Sequence, residues 1–367
     1  MSFIKKHILV ASGVPILLFV FILAAWPVKK TDPRLASPKA SIQGILQPKL
    51  SLFLSPEFYS FLPQTNQSLL PTRAEAVAAA ENKSLFWQLH REHHFNSIFL
   101  GTNPAWHPLI DSLFSSSLWV LADISPWGYL FNPAPDAKAW KIPSEAVLKN
   151  QWPDATDRTR FLILTAANLA AIHRNPEAEQ LLSMAMATHK LPSQILSTRA
   201  SLAAAQGRWK ESATLAQQSL HSDRENLIAK KILTRDLIEL GEPDEALDNA
   251  RELATTNPQD QETLFLLART ANAANSSQEE IDALTHLASL ARTTHQPLGV
   301  ILTYLGQAYA KSGDRGDALR AFQEAILSPE LSDKEHLAIR EIMDHLMEGN
   351  ASSTTLPPIK SVPSTNP

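Results

Sequence analysis

The sequence predicts a mainly α-helical chain: an N-terminal transmembrane helix, a small α/β domain and a C-terminal solenoid of paired helices. Three observations predict it. Residues 8–28 are apolar and carry no charge, residues 51–140 alternate short strand-like runs with helical spacing, and beyond about 157 the texture is helical alone and recurs every 34 residues. A chain of 367 residues is also too long for one ordinary domain.

The anchor is placed at 1–28. Ile8–Trp26 is almost wholly apolar and the uncharged run extends to Val28, about the 20 positions a helix needs to cross a hydrocarbon core. Backbone amides in lipid must pair internally, which favours a spanning helix. Pro15 falls within the first turns, Trp26 stands where an interfacial indole would sit, and Lys5, Lys6, Lys29 and Lys30 flank the run. The rival is a cleaved secretory signal, but Leu23-Ala24-Ala25 lacks the usual small-residue alternation. The expected location is a bacterial inner membrane, crossed once. The lysines alone would keep the rest of the chain inside, whereas a resemblance given below favours an extracytoplasmic, periplasmic placement.

Residues 29–50 mix lysine, proline and small polar residues and read as a linker. Residues 348–367 are rich in Ser, Thr and Pro and are expected to be a disordered tail.

Between 51 and 140, Ser51–Leu54 is a short apolar run ended by Pro56. Arg73–His94 has helical spacing, Asn96–Leu100 reads as a strand stopped at Gly101, and a helix is expected around Leu109–Phe114. Trp119–Ala122 and Tyr129–Phe131 flank the turn signal Ser125-Pro126-Trp127-Gly128.

From 157 to 347 the period governs. Small or turn-flanking residues stand at Ala178, Ser212, Ala246 and Glu280, with a fifth at Ala318 after four extra residues near Thr293–Gln296. Five residues before each lies a turn, at His173, Gly207, Gly241, Asn275 and Gly313. Core positions follow at Leu182/Ala185, Ala216/Ser219, Ala250/Leu253, Leu284/Leu287 and Phe322/Ala325. One helical hairpin cannot bury its apolar faces alone, so copies must stack. Pro176, Pro192, Pro243, Pro258, Pro297 and Pro329 all fall between predicted helices, where a missing N–H costs little.

The array resembles the tetratricopeptide repeat family. Leu227–Pro258 carries Leu233, Leu237, Gly241, Ala246, Ala250, Leu253 and Pro258 at family positions, and Gly299–Glu330 carries Leu305-Gly306, Tyr309, Gly313, Ala318, Phe322 and Ala325. The copy at 261–294 is degenerate at Glu280, and that at 159–192 is partial. The resemblance implies a solenoid whose first helices line a groove for a protein or peptide ligand, with Lys231, Arg235, Arg269, Asn272, Gln307 and Lys311 facing it. Such a lining suits an acidic or C-terminal carboxylate ligand, although the full lysine and asparagine pattern of carboxylate-clamp members is absent. A solvated, merely solubilising charge pattern is the alternative. Ser97–Asn132 is more faintly similar to the soluble C-terminal part of bacterial protein-mannosyltransferase-type membrane glycosyltransferases. That similarity implies an exported domain and no transferase activity.

Composition narrows the chemistry. Thirty-three basic against 37 acidic residues give a net charge of −4, which argues against a nucleic-acid partner held by bulk positive charge. The absence of cysteine excludes thiol nucleophiles, disulfides and Cys-ligated metals. The nucleophile elbow, P-loop and dinucleotide fingerprints are missing. His90, His93 and His94 have a helical spacing that suits a metal but lack a second ligand cluster, and His107 and Asp111 form an i, i+4 pair without a nucleophile. Gly101-Thr102-Asn103-Pro104 follows a strand as an anion-binding turn would, without the extra glycines. Trp106, Trp119, Trp127 and Trp140 suit either sugar stacking or a compact aromatic core. The expectation is a non-enzymatic, cofactor-free scaffold in envelope assembly. The alternative is an accessory module of a membrane glycosyltransferase system whose small domain recognises carbohydrate.

Overall fold

The computed structural model describes residues 52–55, 58–59, 71–134, 138–294 and 296–348. The expected anchor at 1–28, the linker at 29–50 and the tail beyond Glu348 lie outside the described residues. Among the described residues, no helix is long and apolar enough to cross a membrane. They divide into two compact units, 52–199 and 200–348.

The first unit is built on a four-stranded sheet: β1 (Leu52–Leu54), β2 (Ser97–Gly101), β3 (Trp119–Ser125) and β4 (Gly128–Pro133), in the order β1-β2-β4-β3. β1 is parallel to β2 and the other pairs are antiparallel. Every residue of β2 is buried, as an uninterrupted apolar run in a central strand requires. Pro126 and Trp127 turn β3 into β4. At Gly128 a Cβ would lie 2.2 Å from the Leu100 carbonyl oxygen, so only glycine fits there. Between Leu121 and Asp123 the register slips, placing a bulge at Ala122.

Helices α1 (Arg73–Glu81), α2 (Lys83–His93) and α3 (His107–Ser115) accompany the sheet. The span expected as continuous helix from Arg73 to His94 is broken at Asn82, whose side-chain oxygen accepts from the Ser84 and Leu85 amides and starts a second helix. The core is aromatic: the Phe53 ring meets those of Phe86, Phe95 and Trp106 edge-on at 5.0, 5.3 and 6.0 Å. A helix absent from the sequence expectation, α4 (Glu145–Gln151), leads into α5 (Ala155–Ala171) and α6 (Asn175–Met186). This first helical pair belongs to the sheet-bearing unit, although the sequence pattern divides the domains before 157. The Tyr129 hydroxyl donates to the Asn168 carbonyl at 2.9 Å, and the Asn168 amide donates to the Ser125 carbonyl at 2.8 Å. The repeat period records α5 as a repeat helix but carries no trace of these two side-chain bonds.

Helix α7 (Pro192–Ala205) crosses the division between the units. The second unit continues with α8 (Trp209–Ser222), α9 (Leu227–Leu240), α10 (Pro243–Thr256), α11 (Gln261–Ala273), α12 (Ser277–Thr293), α13 (Gly299–Ser312), α14 (Arg315–Ile326) and α15 (Asp333–Met347). Across both units each helical pair closes in the same way. His173, Gly207, Gly241, Asn275 and Gly313 all have left-handed backbone, with φ of 61°, 71°, 81°, 58° and 90°. The next amide then reaches back five residues: Arg174 to Leu169, Arg208 to Ala203, Glu242 to Leu237, Ser276 to Ala271 and Asp314 to Tyr309, at 2.8–2.9 Å. These are Schellman closures, which satisfy carbonyls that a helix end leaves open.

The small positions pack as the period requires: Ala178, Ser212, Ala246 and Ala318 are fully buried. Glu280 is buried as well, and its carboxylate accepts from the Asn272 amide at 2.6 Å. The four extra residues lengthen α12 and its closing turn, where the Gln296 amide donates to the Ala291 carbonyl at 2.9 Å. Glu330 caps α13 by accepting from the Leu298 and Gly299 amides, both at 2.7 Å.

In α13 and α14, Gly306 faces Phe322 so closely that a Cβ would lie 2.7–2.9 Å from three ring atoms. Gly→Ala within a helix ordinarily stabilises by about 1 kcal/mol. Here Gly306→Ala is expected to destabilise by about 1–3 kcal/mol through overpacking. Gly313 has open space around its Cβ position, so Gly313→Ala is expected to cost only about 1 kcal/mol, from backbone strain. Melting curves of both variants check the ranking.

Candidate functional site

The 34-residue period, with its one four-residue interruption, makes Ser201, Arg235, Arg269 and Gln307 equivalent positions on α7, α9, α11 and α13. Lys231, Phe265 and Thr303 form a parallel row one helical turn earlier. The six residues expected to face the groove meet different fates.

Lys231 is buried, with its ammonium 2.6 Å from Asp260 Oδ2 and 2.7 Å from Glu262 Oε2. Burial alone would raise the Asp260 carboxyl, but Lys231 and Thr263 outweigh it and hold the group below its usual range. Asp260 also caps α11 through the Thr263 amide. Lys231 therefore holds α9 to the start of α11, and its charge does not stand free in a groove.

Arg269 is half-buried and reaches Glu239 at 3.7 Å. Beside it the rings of Phe265 and Tyr304 meet edge-on at 5.5 Å. Asn272 and Lys311 converge on Glu280: Asn272 donates to one carboxylate oxygen, and Lys311 lies 3.9 Å from the other while donating to the Asn272 carbonyl at 3.2 Å. Burial raises the Glu280 carboxyl, with Asn272 and Lys311 pulling the other way.

Arg235 differs from these cations. It is 7% exposed, and no acceptor among the described residues takes a hydrogen bond from its guanidinium. Burial pushes the guanidinium below its ordinary value; neighbouring Asp236, Glu262 and Glu239 oppose that push, and Arg269 adds to it. In the same row, buried Ser201 Oγ and the enclosed Nε2 of Gln307 also lack partners among the described residues. A buried polar group without a partner costs about 1–3 kcal/mol. Three in equivalent positions of the array therefore form a row of unmade hydrogen bonds. The row itself was within reach of the sequence, through the 34-residue offset from Arg235 to Ser201 and Arg269.

In the sheet-bearing unit the histidines serve packing. His90 meets Trp119 edge-on at 5.4 Å, His93 stacks on Phe95 at 5.7 Å, and His94 ends α2 in the left-handed region. Among the described residues, no group of His, Asp and Glu is arranged to hold a metal ion. His107 makes no hydrogen bond to Asp111; its Nε2 is buried without a partner among the described residues, and burial lowers its pKa. Asn103 Oδ1 caps the short 3-10 turn at Pro104–Trp106, so the Gly101–Pro104 segment serves local structure. Trp106 and Trp119 are core residues, 2% and 5% exposed, and cannot stack on a sugar. Trp127 and Trp140 remain partly accessible.

Asp236 on α9 is fully buried, with the Ser212 hydroxyl and the Arg235 guanidinium as the neighbours that favour its charged form. Burial pushes its carboxyl up to about 6, from 3.8. The folded chain thus holds this proton more tightly than the unfolded chain. The contribution of Asp236 to stability is greatest in acid and is lost as pH rises through about 6. Asp236→Asn is expected to raise stability at pH 7 by up to about 3 kcal/mol and to change it little at pH 4. Urea unfolding at the two pH values checks this.

No known protein family matches this sequence, and no curated protein matches it. Solved structures do. MamA of AMB-1 is 18% identical over 49% of this chain and 97% of its own length, with a TM-score of 0.40. MamA from Desulfovibrio magneticus RS-1 is 16% identical over 45% and 93%, with a TM-score of 0.40. TTC0263, a thermophilic TPR protein in Thermus thermophilus, is 15% identical over 51% and 97%, with a TM-score of 0.38. The closures and buried small positions of its own hairpins make the chain a helical-repeat protein that also carries a small mixed sheet.

Proposed function

We propose that this chain is a non-enzymatic scaffold, tethered to a bacterial inner membrane by residues 8–28, whose repeats hold a partner protein across their first helices in an envelope assembly. The apolar, lysine-flanked run at the N-terminus supports the tether. The periplasmic placement of the repeats rests on the similarity of Ser97–Asn132 to an exported domain.

The observation that carries the binding role is the row Ser201, Arg235 and Gln307, whose buried polar atoms lack partners among the described residues. The unmade bonds include N–H groups of Arg235 and Gln307, which only donate, and a hydroxyl that can donate. Ser201, at 2% exposure, is closed to a ligand, whereas Arg235 and the part-exposed Arg269 and Gln307 stand at the edge of the row, where an extended segment presenting backbone carbonyls and an acidic side chain would meet them. Such a segment crosses successive helices, as the row does. Lys231 is a poor probe of this role, because reversing its charge would place three carboxylates together and unfold α9 from α11.

Arg235→Met separates function from folding. It removes a buried, unpaired charge at similar volume and is expected to leave the melting temperature equal or higher. It is also expected to weaken partner capture by about 100-fold, the scale of losing a desolvated charge contact at an interface. Cross-linking from intact membranes with the unaltered and Arg235→Met chains, and with Arg251→Met on a second helix as control, reads this out. Undiminished recovery of the same partners with Arg235→Met would overturn the reading.

A further inference from the structure

A second feature lies in the sheet-bearing unit, away from the repeat row. Beyond β4 the chain returns along β3, where the Ala134 amide donates to the Leu118 carbonyl at 2.8 Å and the Trp140 amide to the Leu121 carbonyl at 2.6 Å. The second bond ties the segment Lys138–Pro143 beside the bulge at Ala122, where the register of β3 slips. Between this strap, β3 and the helices that follow is a cavity of about 470 Å³, within the range of small-molecule sites.

Its lining is chemically mixed. Trp152, 6% exposed, stacks on Phe161 at 5.1 Å and 25° and makes an aromatic wall. Arg158 fixes that wall by donating to the Trp152 carbonyl at 2.8 Å. Trp140 is a second aromatic face, half-exposed on the tied strap. Lys138 and Lys141 are exposed and line the cavity, and no carboxylate among the described residues is paired with either. Among the described residues, Asp123 accepts only from its neighbouring Ile124 amide, at 2.9 Å.

We infer that this cavity is a binding site for an acidic saccharide, a pyranose ring carrying a carboxylate. An indole face attracts the C–H groups of a sugar ring through its negative quadrupole while shedding water from an apolar surface. Asp123 has acceptor capacity left for ring hydroxyls. The two unpaired ammonium groups against one carboxylate leave the lining cationic, which selects an anionic ring over a neutral one. A purely apolar guest would strip water from Asp123 and both lysines and return nothing for it. Of the four tryptophans that the sequence offers for sugar stacking, Trp140 is the one that lines this cavity.

The test is calorimetric titration of the full chain, purified in detergent, with tetragalacturonate, with neutral maltotetraose and with tetraglutamate. The expected result is binding of tetragalacturonate at least about tenfold tighter than maltotetraose. Trp140→Ala is expected to weaken it by about tenfold while Trp140→Phe retains most of it. The double variant Lys138→Ala/Lys141→Ala is expected to remove the preference for the acidic sugar. These positions are surface ones, and an unchanged melting temperature in each variant separates loss of the site from loss of the fold. Absence of binding by either saccharide overturns the proposal, as does binding indifferent to Trp140→Ala. Tetraglutamate bound as tightly and lost with the same variants overturns it in favour of an acidic-peptide site. Because Arg235→Met leaves this cavity untouched, failure here and failure of the repeat-row reading are distinguishable.

Discussion

The left-handed residue at the head of each helical turn is the constraint from which the repeat architecture follows. Once its φ is positive, the next amide can reach five residues back, and the chain must reverse within a few residues. The helix that follows then starts at a fixed phase, which delivers a small side chain to the interface five residues later. Three of the five positions are glycine, which accepts this backbone at no steric cost. His173 and Asn275 accept it too, and asparagine and histidine are among the non-glycine residues enriched there. The packing of Ala178, Ser212, Ala246 and Ala318 at zero exposure is a consequence of that phase.

Charge reinforces the stacking without driving it. Arg251 binds Glu279 through two bonds, and Arg292 binds Glu324 through two. Arg251, Arg292 and Glu324 are exposed and Glu279 is half-buried, so solvent screens both pairs and they add little to stability. The interior polar contacts bear more heavily on specificity. Lys231 between Asp260 and Glu262, and Glu280 between Asn272 and Lys311, each join neighbouring hairpins in one register.

What the sequence made legible was what recurs. The five turns, the buried small positions, the prolines at helix ends and the four-residue insertion all follow from one offset, and the structure places each where the offset puts it. What it hid was pairing across long separations. Lys231 looks like a groove cation because its helix face can be read, whereas its carboxylate partners stand 29 and 31 residues away. The break at Asn82 was hidden because helical spacing continues through it, and only the side-chain cap reveals two helices. Trp106 and Trp119 look available for a ligand until Phe53 and His90 are seen against them. Arg235 was legible as a groove residue but not as an unpaired one, since a missing partner leaves no mark in a sequence.

Glu280 breaks the pattern in which alanine or serine sits at the hairpin junction. Its carboxylate engages Asn272 within its own hairpin and approaches Lys311 of the next. Copies of this array are consequently not exchangeable parts. A shuffled order that set Glu280 beside a hairpin lacking a lysine at that place would entomb a bare anion, so the succession of units is itself encoded. Growth or loss by duplication is thereby blocked at this joint and left open at the alanine joints.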